Sequence, residues 1–240
     1  MNFLKYPKIY RVEKEKTLDI LNKPVYVQEK LDGANASIWL GDNGTLRCGS
    51  RNQEVTDQGF RGLPEFLKSD AAQGIHHFLL ERPSHLRLYG ESSHLRLYGE
   101  WLVKHTVDYK PECCQQFYLF DIYDHLTNKF WSPILVRDVA KKHNISMVDM
   151  TPDARVYSFS ELKQDFVGKS VLTAKPNKGE GIVVKSRCGN YSAKIVREGF
   201  KEEESAAHFR AEPFYWESWS THSFVTVVPS SPPVPVLRFS

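Results

Sequence analysis

The chain of 240 residues is long enough for one large domain or two small ones, and 25% of its residues are charged, as in ordinary soluble proteins. No apolar run approaches the roughly 20 residues of a membrane-spanning helix, and the first residues lack the apolar core of a signal peptide. The net charge of +3 neither predicts nor excludes a nucleic-acid partner. We therefore expect a cytoplasmic protein, in the host cytoplasm if it is viral, without membrane association.

The cysteines and histidines do not predict a metal site. The four cysteines lack metal-ligand spacing, and the adjacent Cys113 and Cys114 form a poor disulfide pair, so we expect reduced cysteines. The nine histidines show no HExxH or other ligand spacing. A metal, if one is used, must be held by other residue types.

The first eighty residues predict a strand-rich segment behind an N-terminal arm. The arm covers residues 1–22. Apolar periodicity and turn residues then predict, in chain order, a short polar helix around Glu13–Leu21, strands at Val25–Glu29 and Ala36–Leu40, a hairpin turn at Gly41–Gly44, a partner strand at Thr45–Ser50, and helical stretches at Pro64–Ser69 and Ala71–Leu80.

A short duplication follows. The string SHLRLYGE occupies Ser84–Glu91 and again Ser93–Glu100, an offset of nine residues that is far too short for a solenoid repeat. Because nine is odd, one unbroken strand would point equivalent side chains of the two copies to opposite faces. We expect the second copy to be the working one, because Trp101 and Leu102 continue its apolar alternation.

The second half of the chain predicts further strands and helices before the composition changes. The predicted elements are strands at Gln116–Tyr123, Gly181–Lys185 and Tyr191–Val196, and helices at Ile134–His143, Ser160–Phe166 and Glu198–Phe209. After Glu212 the chain is rich in proline and serine. We therefore predict one domain over residues 1–211 and an irregular tail over residues 212–240.

Lys30 is the residue around which these elements are organised. It follows an extended run and precedes Leu31, Asp32 and Gly33, and glycine permits close approach of a ligand or backbone. This order suits a nucleophilic lysine, whose amine has an ordinary pKa of about 10.4 and must be made neutral by burial, a nearby cation or a metal. Asp32 either forms the turn or orients Lys30, and both interpretations stay open.

Five strings in a fixed order carry a family resemblance. They are EKLDGAN, LYGEW, FYLFDIYD, GEGIVVK and SAKIV, and they resemble the covalent lysyl-nucleotidyltransferases, which comprise RNA ligases, DNA ligases and mRNA capping enzymes. Asn35 and the stretch Gly49–Asn52 make the sequence most similar to ATP-dependent RNA ligases of the phage RNA ligase 2 type. The resemblance covers about Tyr6 to Phe200.

The resemblance implies a fold and an activity. The fold is α+β, with two packed, mainly antiparallel sheets, flanking helices and the AMP cleft between the sheets. The activity is joining of 5′-phosphate and 3′-hydroxyl RNA ends by a monomer that uses ATP and Mg²⁺ or Mn²⁺. The partners are RNA ends or a nicked duplex, with DNA less favoured.

The resemblance also implies the site residues. Lys30 takes AMP onto its amine, Glu180 holds the metal, Lys194 contacts phosphate, and Asn35 acts near the phosphate. Asp32 completes the catalytic set. Backbone groups around Gln28 and Glu29 read the adenine edge. The nucleotide-binding residues are Glu29, Arg51, Glu100 on the ribose, Phe120 stacked on adenine, and Lys185 on phosphate oxygens.

Two observations keep alternatives open. The last family motif often has a second lysine, which here is Val196, so one phosphate contact is missing or comes from Arg197. Aromatic residues of buried strands usually belong to a core, and Phe117 and Tyr118 are neighbours that could replace Phe120. A DNA ligase or capping-type enzyme is the alternative within the superfamily, and an inactive nucleotide- or RNA-binding module is the alternative outside catalysis.

Overall fold

Two mainly antiparallel sheets form the scaffold of the residues that the computed structural model describes, which are 3–13, 15–56, 59–81 and 94–200. The smaller sheet contains, in spatial order, β1 (Tyr10–Arg11), β10 (Ser192–Val196), β9 (Gly181–Ser186) and β2 (Val25–Lys30). The larger sheet contains β5 (Glu54–Val55), β4 (Leu46–Gly49), β3 (Ala34–Leu40), β6 (Leu95–Leu102), β7 (Gln116–Asp124) and β8 (Lys129–Phe130). The predicted α+β fold is thereby confirmed.

The helices lie where the periodicity predicts them, with small shifts of their ends. They are α1 (Leu63–Leu67), α2 (Gln73–Leu80), α3 (Pro133–Lys142) and α4 (Phe159–Asp165), and a 3₁₀ helix replaces the predicted polar helix at Glu15–Asn22. Ser158 caps α4 in a capping box with Glu161. Residues 198–200 form a turn with Gly199 at φ +74°, so no helix begins at Glu198. The rest of that predicted helix, and the predicted tail, lie outside the described residues.

Each sheet buries one face against helices. In the smaller sheet Val25, Val27 and Val184 pack with Tyr157 and with Leu162 of α4. In the larger sheet the buried face packs against α1, α2 and α3 through a core that includes Ile38, Leu97, Leu119, Ile75, Phe78 and Val136. Because side chains alternate along a strand, the polar residues of each sheet lie on the face opposite to its core.

The second copy of the duplicated string forms a central strand. β6 pairs with β3 on one side and β7 on the other, and it carries Glu100. The first copy lies outside the described residues. The second copy thus forms the strand that carries Glu100, as the sequence predicts.

Residues 146–155 tie the two sheets together. Leu119 of β7 donates its N–H to the carbonyl of Ser146 at 2.9 Å, and the N–H of Thr151 reaches the carbonyl of Val27 at 2.9 Å. The N–H of Glu29 donates to the carbonyl of Asp149 at 3.1 Å. This irregular segment satisfies the backbone of both strand edges and holds β2 in place relative to β7.

Two chemical features complete the description. All four cysteines are free. None of the helices in the described ranges combines the length and apolar character needed to cross a membrane.

Candidate active site

Lys30 and Glu180 meet because of strand register. Lys30 is the last residue of β2 and pairs with Gly181, the first residue of β9, which brings the preceding Glu180 alongside. The Lys30 ammonium donates a hydrogen bond to Glu180 Oε1. The Glu180 side chain is only 3% exposed, whereas that of Lys30 is 23% exposed. The amine therefore stands at the open side of a buried carboxylate, within reach of a ligand.

Gly33 lets the chain cross from one sheet to the other directly after Lys30. A Cβ atom at Gly33 would lie 2.6 Å from the carbonyl oxygen of Trp101. Gly181 is constrained in the same way, since a Cβ there would lie 2.2 Å from the carbonyl oxygen of Ile195. Both glycines serve close approach of backbone rather than a left-handed conformation.

Glu100 faces Lys30 from the larger sheet. It accepts a hydrogen bond from the Gly33 N–H at 3.0 Å and is the strand partner of Asn35, whose side chain is half-buried. Burial raises the pKa of Glu100 to about 8, although the charge of Lys30 opposes the rise. Near neutral pH Glu100 is therefore mostly protonated, and it can donate as well as accept a hydrogen bond.

The raised pKa predicts how stability depends on pH. The pKa is about 4.3 in an unfolded chain, so the wild type loses up to about 1.4 kcal/mol of stability per pH unit between roughly pH 4.3 and pH 8. Glu100→Gln keeps an oxygen for the Gly33 N–H and cannot ionise. We expect the free energy of unfolding of Glu100→Gln, measured by urea titration, to increase relative to that of the wild type between pH 5 and pH 8. A difference that does not change with pH contradicts the assigned protonation.

Asp32 contacts a loop rather than Lys30. Its carboxylate accepts hydrogen bonds from the N–H groups of Thr106 and Val107, both at 2.8 Å, and lies 2.7 Å from His105 Nδ1. The Asp32 N–H donates to the hydroxyl of Tyr109 at 2.7 Å. The Asp32 carboxylate therefore anchors the start of the Lys30 turn to the loop after β6, and both interpretations of its role stay open.

A β-bulge places Phe120 and Asp121 on the same face. The pairing of β6 with β7 shifts between Tyr98 and Gly99, which leaves Phe120 as the extra residue. Both side chains then contact Tyr6: its ring lies 5.0 Å from the Phe120 ring, and its hydroxyl donates to Asp121 Oδ2. A bulge interrupts alternation in this way. Phe117 is buried in the core of the larger sheet, and the Tyr118 hydroxyl donates to the carbonyl of Cys113. The choice of Phe120 for adenine stays a prediction.

Lys185 reaches across from the smaller sheet to the bulge. Its ammonium lies 2.7 Å from Asp121 Oδ1 and donates to the carbonyl of Phe120 at 2.8 Å. The side chain is buried, and burial lowers its pKa although Asp121 opposes the shift. Lys185 thus donates to one backbone carbonyl and forms an ion pair within the protein, and its contact with phosphate stays a prediction.

The Glu29 side chain points away from Lys30, and its predicted backbone role stays a prediction. Successive side chains alternate, so the Glu29 carboxylate lies on the other face from Lys30, where burial raises its pKa to about 7 and a hydrogen bond with Ser170 opposes the rise. Its N–H is already bound to the carbonyl of Asp149. Gln28 shares the face of Lys30, so its side chain is directed to the cleft beside the backbone groups that the sequence assigned to the adenine edge. Strand parity is the signal that distinguishes the side chain of Gln28 from that of Glu29.

Three further residues named in the sequence analysis lie in or next to β10 and after β4. Lys194 of β10 is opposite Val183 and on the other face from the core residues Ala193 and Ile195. Arg51 is exposed in the turn after β4. Arg197, the proposed substitute for a lysine at Val196, donates its Nε–H to the carbonyl of Gly179 at 3.0 Å.

The carboxylates beside Lys30 fit a hard divalent cation. Glu180 and Glu100 are close enough for the charge of Glu180 to raise the pKa of Glu100 further. Within the described ranges no group of three or more His, Cys, Asp or Glu side chains converges. Mg²⁺ and Mn²⁺ accept oxygen ligands, and Mg²⁺ is commonly held by one or two carboxylates together with substrate phosphates, which is what this donor set offers.

Comparison with known proteins places this geometry in context. The model of the RNA ligase family matches residues 23–196. Similar solved structures include a variant of Naegleria gruberi RNA ligase with ATP and Mn (TM-score 0.60, 21% identity, 80% of this chain and 56% of that chain) and the same ligase with PPi (TM-score 0.59, 22% identity, 80% and 56%). This chain therefore spans little more than half of that ligase. No curated protein sequence matches it.

Proposed function

Because the chain belongs to the RNA ligase family, we propose that it joins 5′-phosphate and 3′-hydroxyl RNA ends by way of an AMP adduct on Lys30. The observation that carries this proposal is the Lys30 amine beside the buried Glu180 carboxylate, with Glu100 facing it from the other sheet. Glu180 orients the amine and can accept its proton, and the buried Glu100 faces the amine from the other sheet. The two sheets supply the fixed geometry that such a reaction needs.

In the first step the Lys30 nitrogen attacks the α-phosphorus of ATP. A nitrogen–phosphorus bond forms, the bond from the α-phosphorus to the bridging oxygen breaks, and pyrophosphate leaves. The amine must shed its proton first, and the hydrogen bond to Glu180 offers a carboxylate that accepts it. The AMP then passes to the RNA 5′-phosphate, and a 3′-hydroxyl displaces it.

Other residues of the cleft hold the substrate. Mg²⁺ or Mn²⁺ would be held by Glu180, with Glu100 beside it, and would offset phosphate charge. Phe120, fixed by the bulge, supports adenine by stacking, and Glu100 binds ribose hydroxyls. Lys194 and Asn35 meet the phosphates, and Arg51 approaches from the rim. We further propose that the protein acts as a cytoplasmic monomer and prefers RNA ends to DNA ends.

Gln28 is the residue that we expect to favour ATP over GTP. It is 1% exposed, and its Nε2 donates to Met150 Sδ at 3.8 Å, which leaves the amide oxygen as an acceptor for the adenine amino group. Gln28→Leu should lower the ratio of kcat/KM for ATP over GTP by about tenfold. The exposed Gln164→Leu is the matched control and should leave the ratio unchanged. An unchanged ratio in Gln28→Leu removes Gln28 from base recognition.

Labelling tests the proposed function. The full chain is incubated with α-labelled ATP and Mg²⁺ or Mn²⁺, and the labelled peptide is identified by mass spectrometry. We expect one AMP on the peptide that contains Lys30, release of pyrophosphate, and sealing of nicked RNA. Saturable ATP binding without an adduct would identify a binding module instead. Faster sealing of nicked DNA, or labelling by GTP in preference to ATP, would identify a DNA ligase or a capping-type enzyme.

A further inference from the structure

Arg96 is a buried cationic side chain on the polar face of the larger sheet, away from Lys30. Arg96 lies on β6 four residues before Glu100, so both side chains face the same way. Four strand residues separate them by roughly 13 Å. Arg96 is 1% exposed. It is therefore outside the proposed AMP site but continuous with it along one strand.

Two aromatic rings pack against Arg96, and its N–H groups are only partly hydrogen-bonded. Its guanidinium lies 4.0 Å from the ring centroid of Trp39 and 4.9 Å from that of Phe3. Along the edge, Nη1 donates to Ser37 Oγ at a long 3.5 Å and Nε makes no hydrogen bond. No carboxylate within the described ranges forms an ion pair with it. Buried arginines are normally paired with an anion, so this charge is incompletely satisfied.

A pocket opens beside this guanidinium. Arg96, Trp39 and Phe3 line it together with Arg47, Glu54 and Asp42. Arg47 and Glu54 pair with each other, so their charges offset one another. Asp42 belongs to the exposed hairpin turn and makes no hydrogen bond to Arg96. Arg96 is therefore the buried donor of this pocket without an anionic partner.

We propose that this pocket binds a backbone phosphate of the RNA strand. This inference rests on the proposed function. The Arg96 Nε–H has no hydrogen-bond partner and Nη1 makes only a long hydrogen bond, so these in-plane N–H groups can match two phosphate oxygens. The distance from Glu100 excludes the AMP itself and suits a nucleotide removed from the joined end. Arg96 would thus hold the RNA strand in register with the cleft.

The experiment separates RNA binding from the reaction with ATP. Arg96→Gln and Arg96→Lys are compared with Arg155→Gln, an arginine that is 55% exposed and pairs with Glu161. Lys30 labelling by ATP should stay within about twofold of wild type. Affinity for a nicked RNA duplex should fall about tenfold in Arg96→Gln and less in Arg96→Lys. In Arg96→Gln the slope of log K against log salt concentration should decrease in magnitude by about 0.9, because one phosphate contact is lost. Arg155→Gln should change neither quantity.

A second measurement applies if Arg96→Gln does not fold. In wild-type protein the Nε–H resonance of Arg96, assigned by its loss in Arg96→Lys, should shift when the RNA duplex is added and should not shift with ATP alone. Unchanged affinity and salt slope, or a resonance that moves with ATP only, overturns the phosphate subsite. Absence of labelling in the wild type would instead refute the proposed function, and the RNA titration would still decide the role of Arg96.

Discussion

Replacing Lys30 with arginine should lower covalent labelling by ATP at least about a thousandfold, because the amine that attacks phosphorus is gone. Arginine keeps the positive charge beside Glu180, but a guanidinium cannot be deprotonated in a protein and does not act as the nucleophile. The cleft should therefore stay folded and still bind ATP. Labelling with α-labelled ATP and binding of ATP by calorimetry, measured on the same preparation, separate these two properties.

Lys23→Arg is the matched control for this variant. Lys23 is exposed and lies two residues before β2, at the end of the strand opposite to Lys30. It should be labelled as fast as the wild type. Label that persists in Lys30→Arg at the wild-type rate would place the adduct on another residue and refute the proposed mechanism.

Local features of the fold could be predicted from the sequence because local chemistry determines them. Alternation of apolar residues specified the strands around Lys30, and the turn residues Gly41–Gly44 specified the hairpin. The ordered strings placed Lys30, Glu100 and Glu180 in one site, and the strand register then brought Lys30 beside Glu180. Each of these predictions depends on residues that are close in sequence or on motif order.

Features that arise from distant parts of the chain could not be predicted. Tyr6 binds Asp121, 115 residues away, and residues 146–155 close the edges of β2 and β7 without a recognisable strand pattern. The extra residue at Phe120 changes which side chains share a face, and the local sequence does not predict this bulge. Asp32 was likewise ambiguous, because its partners lie in the loop after β6.

Motif position alone was also insufficient to assign side-chain roles. Lys185 stands in a predicted string, yet its ammonium forms an ion pair with Asp121 and donates to the carbonyl of Phe120. Both contacts follow from the direction of the side chain within its sheet, which motif order does not contain. Lys185 therefore fixes the position of Phe120 whether or not it also meets phosphate.

Breaking the buried pair between Lys185 and Asp121 should cost about 3 to 5 kcal/mol of stability in Asp121→Asn, because the ammonium is left without its anion. Adding Lys185→Met should recover part of this loss, since the double variant buries no charge. Urea unfolding of the two single variants and the double variant measures the coupling. The exposed pair of Lys163 and Glu198 is the control, and Lys163→Met should leave stability unchanged.

The same pair makes a pH-dependent prediction. Burial lowers the pKa of Lys185 and Asp121 opposes that shift, so Asp121→Asn should lower the pKa further. A lysine with a depressed pKa binds fewer protons when folded than when unfolded, so stability rises with pH between its folded pKa and about 10.4. The deficit of Asp121→Asn should therefore be smaller at pH 9.5 than at pH 7, while the double variant should show no such gain. If the deficit is equal at both pH values, the Lys185 ammonium is not the charge that Asp121 stabilises, and its placement against Phe120 needs another explanation.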